Sequence, residues 1–269
     1  MNEISPHSSK YLAKPDFEKA YKKVVLNSKF FEQDSYYIQQ KPRYLNTLRY
    51  ICQFSLPRAA RILEISGGQI ALLAKEILGH ECTVADVNET YKQDILDNGL
   101  QFRCCDLLHD DLEERDCYDL VVMCEVIEHM PVPPYIILEK IKAWIKPGGS
   151  IFITTPNLYR FRNLVRLALG LNVFDTFLIP ERGSGIGHPL EYSQMHLKWQ
   201  LERAGFESVN IQLQQLDNAG STLWTQLGRI MASPFLLRPL WRDKLVAIAQ
   251  KPSSPILEKA KQLKAAVQP

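Results

Sequence analysis

The sequence lacks a cysteine framework. Its six cysteines, Cys52, Cys82, Cys104, Cys105, Cys117 and Cys124, include no C-x-x-C pair, and most lie inside apolar runs. They read as reduced, buried residues of an intracellular protein. Charge of one sign is also missing. Lys and Arg number 32 against 30 Asp and Glu, a formal +2, which makes no whole-chain case for a nucleic-acid partner. No apolar run reaches the length of a membrane span. The opening residues, MNEISPHSSKYLAKPDFEK, hold no apolar core of a signal peptide. These absences set the expectation of a cytoplasmic protein, with a place at the inner membrane surface left open. Internal repeats and low-complexity tracts are absent as well.

What is present is alternation. After a polar segment over 1–33, apolar residues recur at helical spacing from Asp34 to Phe54 (Tyr37, Leu45, Leu48, Ile51, Cys52). RILEIS, ECTVADV, LQFRCCDL, YDLVVMCEV and SIFITTP then read as strands. QIALLAKEIL and PYIILEKIKAWI read as helices between them, the second stopped by Pro147-Gly148-Gly149. YDLVVMCEV is continuously apolar, as for a strand covered on both faces. Such repetition predicts an α/β, Rossmann-like, doubly wound sheet. One domain is expected over 34–250, with insertions at 157–190 and 218–242 and a tail at 251–269. Within it SQMHLKWQLERAG predicts a helix closed by Gly205, FESVNIQLQQ a strand and DKLVAIAQKP a last strand.

Open α/β sheets bind ligands at the carboxyl ends of their strands. The first βα turn reads Glu64-Ile65-Ser66-Gly67-Gly68, whose small residues admit a ligand close to the backbone. Twenty residues past Ser66, Asp86 ends the next strand, where a carboxylate can accept both ribose hydroxyls. A pyrophosphate is unfavourable beside Glu64. The sulfonium and ammonium of S-adenosylmethionine suit it. Asp106, a further twenty residues on, is placed to accept from an adenine amino group, with Leu107 beside it in the cofactor site.

RILEISGG, TVADVNE, CCDLL, YDLVVMCEVIEHM and IKPGGSIFITTPN together resemble the class I methyltransferase superfamily, over about Pro57–Pro156 and more weakly to Gln215. The last two resemble the sub-group with E-V-x-E-H and K-P-G-G…T-P-N segments. That sub-group includes ubiquinone-pathway O-methyltransferases, small-RNA 3′-end 2′-O-methyltransferases and methyltransferases of polysaccharide gene clusters. The resemblance implies S-adenosylmethionine as cofactor, a mostly parallel sheet with an antiparallel last strand, helices on both faces, and a lid inserted after the fifth strand. The family's three turn glycines correspond to Ser66, Gly68 and Ile70, a departure that bears on cofactor affinity.

Glu125 ends a strand, and Glu128 and His129 follow at spacings of three and four, which share a helical face. Such a face can hold a divalent ion, with His188 in GHPLEY as a fourth ligand. The small-RNA methyltransferases hold a metal with a comparable set. Mg, Mn, Zn and Fe all fit mixed O and N donors. Two other readings stay open: His129 or His188 acts as a base without metal, and Glu125 borders the cofactor pocket. His196, inside a helical pattern, reads as surface or packing.

NLYRFRNLVRLALGLNVF sets Arg160, Arg162 and Arg166 beside apolar residues where acceptor-covering lids occur, and reads either as a lid meeting an anionic acceptor or as a solvated helix. LWTQLGRIMASPFLLRPLWRDKL mixes Trp224, Phe235 and Trp241 with basic residues, and suits an anionic membrane, a core or a dimer contact. The leading expectation is O-methylation of a small-molecule, sugar or lipid-linked glycan hydroxyl. An RNA 2′-O-methyltransferase and a non-catalytic scaffold are the alternatives. The acceptor and the oligomeric state are not encoded in these motifs.

Overall fold

The computed structural model describes residues 12–27, 34–174, 187–216 and 237–253. Helix α1 (Lys14–Ala20) has a proline in its first turn, where the missing N–H has no intrahelical partner to lose. It continues into a π-helical turn, Tyr21–Val25. Phe17, Tyr21 and Val25, four residues apart, are all buried and pack with α2 (Asp34–Ile51) and α3 (Gln69–Leu73). The N-terminal stretch, polar in composition, thus carries an apolar stripe that completes one face of the core.

Seven strands follow: β1 (Arg61–Ile65), β2 (Glu81–Asp86), β3 (Gln101–Cys104), β4 (Tyr118–Cys124), β5 (Ile145–Pro156), β6 (Glu207–Gln214) and β7 (Lys244–Gln250). They form one sheet in the order β3-β2-β1-β4-β5-β7-β6. β1 to β5 are parallel, and β7 runs antiparallel to both β5 and β6. Side chains alternate between faces. Leu63, Ile65, Val121 and Met123 join one cluster, with α5 (Pro134–Trp144) and α7 (Gln194–Arg203) over it. Ile62, Leu120 and Val122 join the other, under α1 to α3. Both faces are therefore apolar and covered. Each fully buried aliphatic side chain contributes roughly 1.5–3 kcal/mol over its exposed state. Gly205, at φ +84, ends α7.

Three expectations shift in detail. The second helix stops at Ile51 and does not reach Phe54. Pro147-Gly148-Gly149 lies inside β5 instead of between helix and strand. Tyr118 pairs with Ile145 and Leu120 with Ser150, so two steps along β4 match five along β5. A Cβ on Gly149 would sit 2.8 Å from Ile145 Cγ2 and 3.0 Å from the Asp119 carbonyl, so this irregularity requires glycine. None of the six cysteines, all of them described, forms a disulfide, but only Cys82 and Cys105 are buried; Cys104 is exposed. It ends the edge strand β3, and adjacent residues there face opposite ways. No helix among the described residues is long and apolar enough to cross a membrane.

α6 (Phe161–Ala168) follows β5. Of the two expected insertions, 157–174, 187–190 and 237–242 are described. Trp224, Phe235 and residues 175–186 lie outside the described residues.

Candidate active site

The first βα turn is left-handed throughout: Ser66, Gly67 and Gly68 have φ of +64°, +83° and +116°. Ser66 therefore adopts the glycine-like conformation that the departure from the family pattern put in question, at some cost in backbone strain. A Cβ on Gly67 would lie 3.0 Å from Gln69 Oε1 and 3.4 Å from Glu64 Oε1. Ile70, at the third glycine position, is buried in the core under α2. The turn opens on a cavity of about 220 Å³ lined by Glu64, Ser66, Gly67, Cys124, Glu125 and, from α2, Arg43. A larger cavity, about 500 Å³, lies at the opposite ends of β4 and β5, around Asp119, Lys146 and Gln250. There Lys146 already holds the Asp119 carboxylate at 2.8 Å, and none of the expected cofactor residues is present.

Glu64 accepts from the backbone N–H of Ala71 at 2.6 Å and of Ile70 at 3.4 Å, so it caps α3 from below. Its burial pushes its pKa up to about 7, against the lowering pull of the Ala71, Gly68 and Ile70 amides and of Arg43. A carboxylate raised in the folded state costs stability when ionised. Stability should therefore rise as pH falls through about 7 toward the ordinary 4.5. Denaturant melts across that window should show this slope, and Glu64→Gln should flatten it. A slope unchanged in the variant would place Glu64's titration elsewhere.

Asp86, buried, accepts from the Asn88 N–H at 2.8 Å, and the Ser66 hydroxyl and the Gly67 amide of the turn favour its charged form. Burial raises its pKa, and these donors oppose the rise. Asp106 lies two residues past β3. Its carboxylate accepts from Leu108 N–H at 2.9 Å and meets His109 Nδ1 at 2.9 Å. Burial would raise it, but His109 and the amides hold it below the usual range. Leu107 beside it is buried.

Glu125 has φ +57. Its Oε1 accepts from the Thr154 hydroxyl at 3.0 Å, and its Oε2 is paired with Lys244. Burial favours the neutral acid, yet Lys244 and Arg43 keep Glu125 below the usual carboxylate range. Glu128 has zero exposure. Its Oε2 accepts from the Thr155 hydroxyl at 2.9 Å, while Oε1 has no hydrogen-bond partner among the described residues. Burial and then the neighbouring Glu125 raise its pKa. His129 lies in the single turn of 3₁₀ helix after β4, and its Nδ1 is 3.2 Å from the Gly187 carbonyl. Nδ1 therefore donates, and the lone pair is on Nε2.

The return segment brings His188 in. Its ring centroid is 4.6 Å from that of His129, edge on. Four contacts fix this segment: Tyr192 bridges to Asn157 and donates to the Ile127 carbonyl at 3.1 Å, and Glu191 pairs with Arg160 and accepts from Asn163 at 2.5 Å. Ligand atoms of Glu128, His129 and His188 all lie within 4.8 Å of one another. Glu125 is not in this group, because Lys244 and Thr154 hold its carboxylate. His196 is exposed. Arg43 and Lys244 were not among the expected site residues. Both act on Glu125 across more than 80 residues of sequence, and a lone basic residue in a helix or at a strand start gives no local signal.

A family model described as "Methyltransferase domain" matches residues 34–211. The chain belongs to the class I S-adenosylmethionine-dependent methyltransferases. Among curated proteins, the mitochondrial ubiquinone biosynthesis O-methyltransferase of Rattus norvegicus is 30% identical over 105 residues, covering 35% of this chain and 30% of that protein. Its Mus musculus counterpart is also 30% identical, over 35% of this chain and 28% of its own length. The match thus spans less than a third of either relative. Among solved structures, a methyltransferase of Archaeoglobus fulgidus superposes with a TM-score of 0.53 at 20% identity, over 79% of this chain and 94% of that one. A Thermotoga maritima protein described as a possible histamine N-methyltransferase gives 0.53 at 15% identity, over 81% and 94%. At these identities the likeness is one of fold.

Proposed function

We propose that this methyltransferase acts on a hydroxyl of a small-molecule, sugar or lipid-linked glycan acceptor. The observation that carries the reading is Glu128 Oε1, a buried carboxylate oxygen without a hydrogen-bond partner among the described residues, grouped with His129 and His188. A methyl group on a sulfonium is transferred by in-line displacement, so the protein's main task is alignment. A hydroxyl acceptor must also lose its proton, and a carboxylate with two imidazoles is suited to take it or to hold an ion that acidifies it. The same set fits a metal. Two imidazoles and one carboxylate match Zn, Mn or Fe better than Mg. Glu128, His129 and His188 would be the ligands, and the Nδ1 contact to the Gly187 carbonyl would orient His129 as carbonyl partners orient ligating histidines elsewhere. The near-neutral charge of the chain speaks against RNA as acceptor.

For the cofactor, the left-handed turn leaves room where a side chain would stand, and Glu64 and Glu125 face the cavity where cationic groups of S-adenosylmethionine would lie. Asp86 is assigned to the ribose hydroxyls, Asp106 and Leu107 to the adenine, and Arg43 to the methionine carboxylate. Calorimetric titration with S-adenosylhomocysteine is the direct test. Asp86→Ala should weaken binding by about 1.5–3 kcal/mol, because charge-assisted bonds to the ribose are lost. No binding at millimolar ligand would leave a scaffold. Transfer of labelled methyl from S-adenosylmethionine, offered sugar and lipid-linked hydroxyls beside an RNA oligonucleotide, tests the acceptor. Label entering only RNA would overturn the assignment.

A further inference from the structure

α6 is turned inside out. Asn163 is completely buried, donating to Glu191 and to the Leu158 carbonyl, while Val165 and Leu167 face solvent. The apolar exposure continues past the helix: Leu167 is 56% exposed, Leu169 69% and Leu171 48%. A second segment adjoins it. Phe161 lies 6.3 Å, ring to ring, from Trp241, and Asn157 Nδ2 donates to the carbonyls of Leu240 and Arg242 at 2.8 Å each. Leu237, there, is 79% exposed. Of the thirteen exposed large hydrophobic residues among those described, eight fall on 159–174 and 237–240. Such clustering is unusual for a surface that faces only water.

The charge on this surface has one sign. Residues 157–174 hold Arg160, Arg162 and Arg166, residues 237–242 hold Arg238 and Arg242, and neither stretch has an Asp or Glu, in a chain with 30 acidic residues. Arg160 is committed to Glu191. Arg238 stacks on Trp241 at 5.1 Å, an aromatic-basic pair suited to an interface that is apolar on one side and wet on the other.

We propose that α6, its continuation to Phe174 and the 237–242 segment form one surface that docks on an anionic phospholipid bilayer. Leucines would enter the headgroup boundary and arginines would meet lipid phosphates. A second copy of the chain is the poorer occupant. A two-fold contact would bring this patch against itself and set arginines against arginines. α6 begins five residues after the carboxyl end of β5, so a docked protein would present the cofactor end of its sheet to the membrane.

Co-sedimentation of the full chain with phosphatidylcholine vesicles, with and without phosphatidylglycerol, tests this. Partitioning should favour the anionic vesicles about tenfold at low salt and lose that preference at high salt. Leu167→Glu with Leu169→Glu should abolish sedimentation without moving the thermal midpoint, since both side chains are exposed. Arg162→Glu should weaken binding to anionic vesicles only. Equal partitioning onto neutral and anionic vesicles would overturn the proposal, as would no sedimentation at all. So would a dimer in light scattering that the double leucine variant splits.

Discussion

His188→Ala is expected to lower kcat/KM by about 100-fold or more, and His129→Ala to do the same, with little change in stability. A positioned proton acceptor is worth roughly 10²–10⁴ in rate, and losing one of three metal ligands leaves a site that binds weakly or misplaces its ion. Both side chains are only partly buried, so truncation opens no sealed core cavity. The two mechanisms then separate. If an ion is held, a chelator should abolish activity, Zn or Mn should restore it, and the double variant should be little worse than either single one, because the residues act as a unit. If one imidazole works as a base alone, the chelator should do nothing and one histidine should dominate. Full activity in both single variants would sink the three-residue site in either form. Binding of S-adenosylhomocysteine should survive both substitutions, which keeps this test apart from that of the cofactor cradle.

The proximity of these histidines shows where sequence reading reaches and where it stops. Spacing alone places Glu128 and His129 together after β4. Nothing local in GHPLEY says where His188 goes; that depends on Tyr192 and Glu191, whose partners Ile127 and Arg160 lie 65 and 31 residues away. β1, β2 and β4 were legible because each is a short, mostly apolar run closed by a turn signal. α1 was not, because Phe17, Tyr21 and Val25 are diluted by five lysines between Lys10 and Lys23, although their spacing of four was visible. Glu125 falls outside the group of Glu128, His129 and His188 for a related reason. Helical spacing put it on a face with Glu128, but Glu125 is at φ +57, off any helix, and its carboxylate turns toward a lysine 119 residues away.

That lysine carries the second large effect. Lys244→Met is expected to destabilise the protein by about 3–5 kcal/mol at neutral pH, the cost of leaving one member of a buried ion pair without its partner. The Lys244 side chain is 8% exposed and that of Glu125 17%, so water cannot replace the lost cation as it would on the surface. The same charge also acts, as a lesser influence, on the buried Glu128 and Glu191. The pH dependence has a definite sign. Glu125 is held below its ordinary 4.5 in the folded protein, so its pairing adds stability above 4.5 that is lost as the pH falls through the lower folded value. In Lys244→Met burial would be opposed only by Arg43 and the Thr154 hydroxyl, so Glu125 would bind a proton more readily than in the parent. The gap between variant and parent should therefore be widest near neutrality and shrink on acidification. Urea denaturation in both pH ranges checks the slope. The double variant Lys244→Met with Glu125→Gln should recover most of the loss, since it removes the orphaned charge along with its partner. A loss below about 1 kcal/mol for Lys244→Met at neutral pH would mean that the pair behaves like a solvated surface bridge, and that Thr154, Arg43 and the backbone suffice to hold Glu125 in its left-handed turn.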